Sequence, residues 1–352
     1  MDNHKRLFDR IRDLVMLHSP SGVEQEVDAY LKQCFEALGL PVEMDASGNL
    51  IARIAGKGGG RLVITAHKDE IGAIVTAVED EGRIKVRRLG GSYPWVYGEG
   101  VVDLLGDSAP VSGILSFGSR HVSHASPQFA HQDSAPLRWA DAWVETKLSA
   151  DELKAAGVRP GTRMVVGKHR KAPVRLGDHV ASYTLDNKAS LAILLELAGR
   201  LKEPAPDVYL VATAKEEVGA VGAQYFTQQM KVDALISLEI APLAPEYPIV
   251  AGPSPVLFAE DGYGLYDEGL NDLIRKAAGG CDVALQLAVV SGFGSDGSIT
   301  MKSGHVPRAA CLGFPTQNTH GFEIAHLEAI ANCVTVLEAT CRHDVVGLGS
   351  RL

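Results

Sequence analysis

The sequence predicts an α/β fold, a sheet covered by helices on both faces, with an all-β module inserted into it. Three observations carry that prediction. Strand-like apolar runs alternate with helical patterns near the start and through the second half of the chain. Between about residues 76 and 168 this rhythm gives way to short strands among many Gly and Pro residues. The rhythm then resumes, so the module interrupts one domain instead of following it.

The elements follow in order. Apolar residues at helical spacing predict helices around 4–17 and 22–38, broken by "SPSG" (19–22). "NLIARIAG" and "RLVITAH" read as strands separated by a flexible "KGGG". "VTAVEDEGRIKVRRLGG", "VSGILSFG" and "RMVVGKH" are short alternating strands, and no long helix is evident before about residue 149. The module has roughly 90 residues, an ordinary small-domain size, and carries a polar, aperiodic loop at 119–136. Beyond it, "NKASLAILLELAGRL" (187–201) is a helix, "DVYLVATAKEE" a strand, "GAVGAQYFTQQM" a helix, "DALISLEI" a strand and "YDEGLNDLIRKAAGG" a helix. "VALQLAVV" and "PRAACLGF" are strands, and "EIAHLEAIANCVTVLEAT" is the closing helix.

Composition narrows the function classes. The 352 residues are 46% hydrophobic, ample for a large core, and 22% charged, which argues against wholesale disorder. A net charge of −9 is too acidic for a protein whose main partner is nucleic acid. Five widely spaced cysteines without a C-x-x-C fit reduced thiols better than a disulfide framework. No uncharged apolar stretch is long enough to span a bilayer, and the charged N-terminus lacks a signal-peptide core. The expectation is a cytoplasmic protein with neither a membrane nor a nucleic-acid partner.

The polar residues collect at strand ends. "LVITA" ends at His67 and Asp69, "VYLVATA" runs into Glu216 and Glu217, and "ALISL" ends at Glu239. Asp186 precedes the long helix, and His320 follows the last strand. Ligands of open α/β sheets bind outside the carboxyl ends of the strands. Crowded carboxylates repel one another unless a cation is present. With His67, Asp186, Glu217, Glu239 and His320 as ligands, three carboxylates face two divalent cations. Mixed imidazole and carboxylate ligation suits zinc, with cobalt or manganese as substitutes. Two such ions sit about 3.5–4 Å apart and need a shared ligand, for which Asp186 is the choice.

"AHKDEIGAIV", "LDNKAS", "KEEVGAVGA" and the late His320 resemble, in order and spacing, the M42 family of dinuclear metallo-aminopeptidases, which holds the glutamyl and tetrahedral aminopeptidases. "SPSG" and "GFGSDG" match as well. The resemblance implies a mixed sheet sandwiched by helices, zinc-exopeptidase-like, with a catalytic domain at 1–75 and 169–352. The insert at 76–168 would be a small all-β, barrel-like dimerisation domain. It also implies two divalent ions, His67 and Glu239 on one, Glu217 and His320 on the other, and Asp186 on both. Glu216 would be the general base, and the Asp69 carboxylate would orient His67. The activity implied is removal of N-terminal residues from short peptides by a self-associating protein, a dimer or dodecamer. The pattern departs from the family at Glu239, where Asp is usual, at Lys188, where Arg is common, and in "TQNTH", which lacks a frequent Arg-Tyr.

Taken singly, each residue has a plainer explanation. Asp186 is a good helix N-cap, "KEE" a solvated turn, His67 a capped surface histidine at a strand end, and His320 a residue closing a loop. Their joint order favours the metal site. His121, His124 and His131 lie in the polar loop with no carboxylate or cysteine spacing to support a second metal site, and Cys281 and Cys311 read as packing. Two competing functions stay open: a metal-dependent amidohydrolase or deacylase of small N-acyl compounds, and a non-catalytic assembly protein. The second requires loss of a ligand or of the base, yet every such position holds a competent residue.

Overall fold

The core strands are buried on both faces, and the sequence shows it as continuous apolar runs. In Arg61–His67 every residue after Arg61 is buried, and in Ala234–Pro242 every residue before Pro242. Alternate residues enter different cores. Leu62, Ile64, Leu210 and Ile236 pack in one cluster, and Val63, Val211 and Leu235 in the other. The helix Leu185–Arg200 lies in the first core and is buried from Leu185 to Ala198, as expected for a helix that is apolar almost all round.

The computed structural model describes residues 3–132 and 134–348. One unit is formed by the chain up to Asp69 together with the chain from Pro173, and the other by Glu70–Ala172. The sequence placed these boundaries at 75/76 and 168/169. They lie further out because Gly72–Val78 is already a strand of the inserted unit. Glu70 and Lys171, near its two ends, form a fully buried ion pair at 2.7 Å.

The first unit is a 12-stranded mixed sheet. Its centre runs Asp207–Thr213, Arg61–His67, Ala234–Pro242, Ala309–Gln317, with all three pairings parallel. The carboxyl ends of four strands therefore share one edge. Leu50–Ile54 pairs antiparallel on one side. On the other, Phe322–His326 pairs antiparallel with Ala309–Gln317 and with His179–Tyr183. Among the described residues, no helix is long and apolar enough to cross a membrane.

One sequence expectation is corrected here. The closing helix begins at Leu327, not at Glu323. Residues 322–326 alternate between half-buried and buried, and pair on both sides as a strand. His326 then caps the helix by accepting the Glu328 N–H. The strand Val256–Asp261 and the helix Asp296–Lys302 were not foreseen.

The second unit is a closed barrel of six strands, in the order Gly72–Val78, Ile84–Leu89, Trp143–Glu145, Pro110–Ser116, Gly100–Leu105, Arg163–Val166. Closure removes exposed strand edges. The loop expected to be aperiodic contains a short 3-10 helix, Pro127–Gln132, while its Asp133 lies outside the described residues.

Candidate metal centre

All seven residues picked out from the sequence lie in the first unit, and the parallel register of the central strands aligns the segments that carry His67, Glu216, Glu217 and Glu239. Thr213 stands opposite His67. The chain leaving Asp207–Thr213 therefore turns beside the segment that leaves His67. Gly222 lets that turn close. A Cβ there would lie 2.2 Å from Asn49 Oδ1 and 2.5 Å from the Ala214 carbonyl. Asn49 bridges both sides, accepting the Ala214 N–H and donating to the Gly222 carbonyl.

Asp186 stands at the centre. Its Oδ1 is 3.0 Å from His67 Nε2, and its Oδ2 is 3.3 Å from His320 Nε2. Glu239 Oε1 lies 4.0 Å from His67 Nε2, and Glu217 Oε1 lies 3.6 Å from His320 Nε2. The ligand atoms thus form two groups, each within a 4.8 Å span: His67, Asp186 and Glu239, then Asp186, Glu217 and His320. Asp186 belongs to both, and Glu216 to neither. The Glu239 side chain reaches its group. Among the described residues, His121, His124 and His131 enter no such group. His124 packs edge-on against Phe129, and His131 lies 3.8 Å from Asp141.

Electrostatics make the centre unbalanced without a cation. Burial pushes Glu216 and Glu239 well above the usual carboxylate range, and Glu217 up to about 7, with neighbouring carboxylates adding to the effect. Burial pushes Asp186 upward too, but His320 and His67 outweigh it and hold its carboxyl low. For His320, burial is overcome by Glu217 and Asp186, and the ring rises to about 10. Desolvated carboxylates facing two imidazoles form a donor set that a divalent cation satisfies. The residues present fit a two-ion centre.

Three residues that sequence reasoning left without a role help build the site. Glu323 is buried and accepts two backbone N–H groups, from Asp186 and from His320, each at 3.0 Å. It thereby positions one ligand from each side. Its signal was its place three residues after His320, which a helix assignment concealed. Asp296, in "GFGSDG", accepts from Thr213 Oγ1 at 2.6 Å, and its buried Oδ1 has no hydrogen-bond partner. Ser21 donates to Asp69 Oδ2 at 2.6 Å.

Asp69 has more partners than the sequence suggested. His67 Nδ1 lies 3.1 Å from the Asp69 backbone carbonyl, while the carboxylate is 3.6 Å away. The carboxylate's hydrogen bonds run to the N–H groups of Glu216 and Glu217, at 2.8 and 3.2 Å. Lys188 is buried and donates to the Leu17 carbonyl at 3.0 Å. Cys311 is buried, and Cys281 half-buried.

Comparison with known proteins accords with this geometry. The family model for M42 glutamyl aminopeptidase matches residues 48–336. A glutamyl aminopeptidase of Lactococcus lactis subsp. cremoris is 24% identical over 349 residues, covering 95% of each chain. A TET aminopeptidase from the marine sediment archaeon Thaumarchaeota archaeon SCGC AB-539-E09 superimposes with a TM-score of 0.87 at 23% identity, over 99% of this chain and 100% of the other. The TET1 peptidase of Pyrococcus horikoshii, which can assemble into a tetrahedron or a large octahedral shell, gives 0.85 at 23% identity, over 95% and 99%.

Proposed function

The chain belongs to the M42 glutamyl aminopeptidase family, a family of peptidases, and from that premise we propose that it removes N-terminal residues from short peptides at a two-ion centre. The observation that carries this reading is the pair of three-ligand groups joined through Asp186. His67 and Glu239 would hold one divalent ion, Glu217 and His320 the other, with Asp186 shared. Zinc suits these ligands, and cobalt or manganese would substitute. When bound, such ions acidify water and polarise a carbonyl oxygen. Glu216 stands outside both groups and is free to act as general base. Its carboxylate takes a proton from the attacking water and passes it to the leaving amine. A general base works best with a pKa near the working pH, and burial moves Glu216 upward from its ordinary value.

One experiment tests the reading. Metal-saturated, dialysed protein is expected to carry about two divalent ions per chain, since two ions with a shared ligand are the usual form of such centres. The same preparation is expected to cleave aminoacyl-anilides and to leave N-acyl amino acids intact. Zero bound metal at micromolar free zinc overturns the proposal. Turnover of N-acyl compounds alone replaces it with a deacylase.

Self-association belongs to the same proposal, with the Glu70–Ala172 barrel as the associating unit. Tyr93 and Trp95 of that unit are 51% and 63% exposed, with ring centroids 5.8 Å apart. An exposed aromatic pair is a feature of association surfaces. Light scattering is expected to report at least a dimer. A species at the 37.4 kDa chain mass contradicts this. Five free cysteines support a reducing, cytoplasmic setting.

A further inference from the structure

The turn that carries Glu216 and Glu217 is held by three successive backbone amides. Lys215 has a left-handed φ of 57°. Its N–H donates to Glu24 Oε1 at 3.2 Å, that of Glu216 to Asp69 Oδ1 at 2.8 Å, and that of Glu217 to Asp69 Oδ2 at 3.2 Å. Consecutive amides around a left-handed residue form a concavity that binds anions. Here the concavity is filled by two carboxyl groups of the chain itself.

Both are anchored by the segment following the first helix. Ser21, 2% exposed, donates to Asp69 Oδ2 at 2.6 Å. Ser19 Oγ donates to the Lys68 carbonyl at 2.7 Å and fixes the same segment. Glu24 also accepts the Gly22 N–H at 2.9 Å, and Gly22 occupies a left-handed φ of 83°. Lys68 Nζ lies 3.4 Å from Glu24 Oε2. The "SPSG" turn is thus wired to the glutamate pair through one carboxylate.

We infer that Ser21 is a positioning residue for catalysis, setting the Asp69 carboxylate so that its two oxygens hold the amides of Glu216 and Glu217. The inference rests on the reading of Glu216 as the base. Without the Ser21 hydroxyl, Asp69 Oδ2 keeps the longer amide bond to Glu217, and the carboxylate can lean towards His67 Nδ1, 3.6 Å from Oδ1. Glu216 then loses its aim. Displacing a reacting group by about 1 Å costs about a hundredfold in rate, and a smaller tilt costs less.

The test is Ser21→Ala in the metal-saturated protein, alone and combined with Glu216→Gln. Ser21→Ala is expected to lower kcat about tenfold, the effect of losing one charge-assisted hydrogen bond. KM and metal per chain by elemental analysis are expected to stay at their parental values, while the thermal midpoint falls by a few degrees because a buried carboxylate loses a donor. In the Glu216→Gln background the same change is expected to cost nothing further, because the group it aims is gone. Unchanged kcat in Ser21→Ala, with Glu216→Gln inactive, overturns this inference alone. Metal loss in step with the activity loss, or an equal loss in both backgrounds, also overturns it and makes Ser21 merely structural. Near-normal kcat in Glu216→Gln overturns the base assignment and this inference with it. If the alanine variant does not fold, Ser21→Cys keeps the volume with a weaker donor and gives the same contrast.

Discussion

Glu216→Gln is expected to keep its fold and its bound metal while losing at least about a hundredfold in kcat. Gln is nearly isosteric with Glu but cannot accept a proton. General acid–base groups contribute about 10²–10⁴-fold, which sets the scale. The loss should fall on kcat more than on KM, because proton transfer belongs to the transition state. Metal should stay because Glu216 lies in neither ligand group. The anchoring of its backbone through Asp69 uses the amide N–H, which the substitution leaves in place. Elemental analysis and steady-state kinetics on one preparation check both halves. Loss of metal would make Glu216 a ligand and reverse its role with Glu217.

Asp186→Asn is expected to have the largest effect on metal content. Asp186 is the one residue common to both groups, so a neutral side chain weakens both at once. The anionic oxygen between His67 and His320 is lost, and burial leaves the His67 ring no solvent to replace it. Bound metal should fall from about two ions per chain to one or fewer, with activity lost in step, and added zinc should not restore it. Glu217→Gln touches one group only, and excess metal should recover part of its activity. If Asp186→Asn keeps two ions per chain, the shared-ligand assignment is wrong.

Much of this was legible in the sequence because burial leaves a local trace. Strands covered on both faces appear as unbroken apolar runs, and "RLVITAH" and "ALISLEI" are strands of the central sheet. The polar residues that end those runs stand out by contrast. His67, Asp186, Glu217, Glu239 and His320 were chosen this way, and by resemblance to the M42 family, and the fold brings their ligand atoms together. Where the local signal was ambiguous, the reading slipped. "EIAH" carries helix formers, but two flanking strands pair with it and make it a strand.

The sequence by itself determined the fold class, the interrupting β module, the family and the candidate ligands, since each leaves its mark within a few residues of chain. Only the tertiary structure decided which atoms meet. The partners of Asp69 are an example: from the sequence its carboxylate belongs with His67, two residues away. The parallel pairing of Arg61–His67 with Asp207–Thr213 also brings the Glu216 and Glu217 amides onto it, from more than 140 positions along the chain. The partner of Ser21 is likewise invisible locally, because a hydrogen-bond partner is set by sheet order and register, and those are long-range properties of the chain.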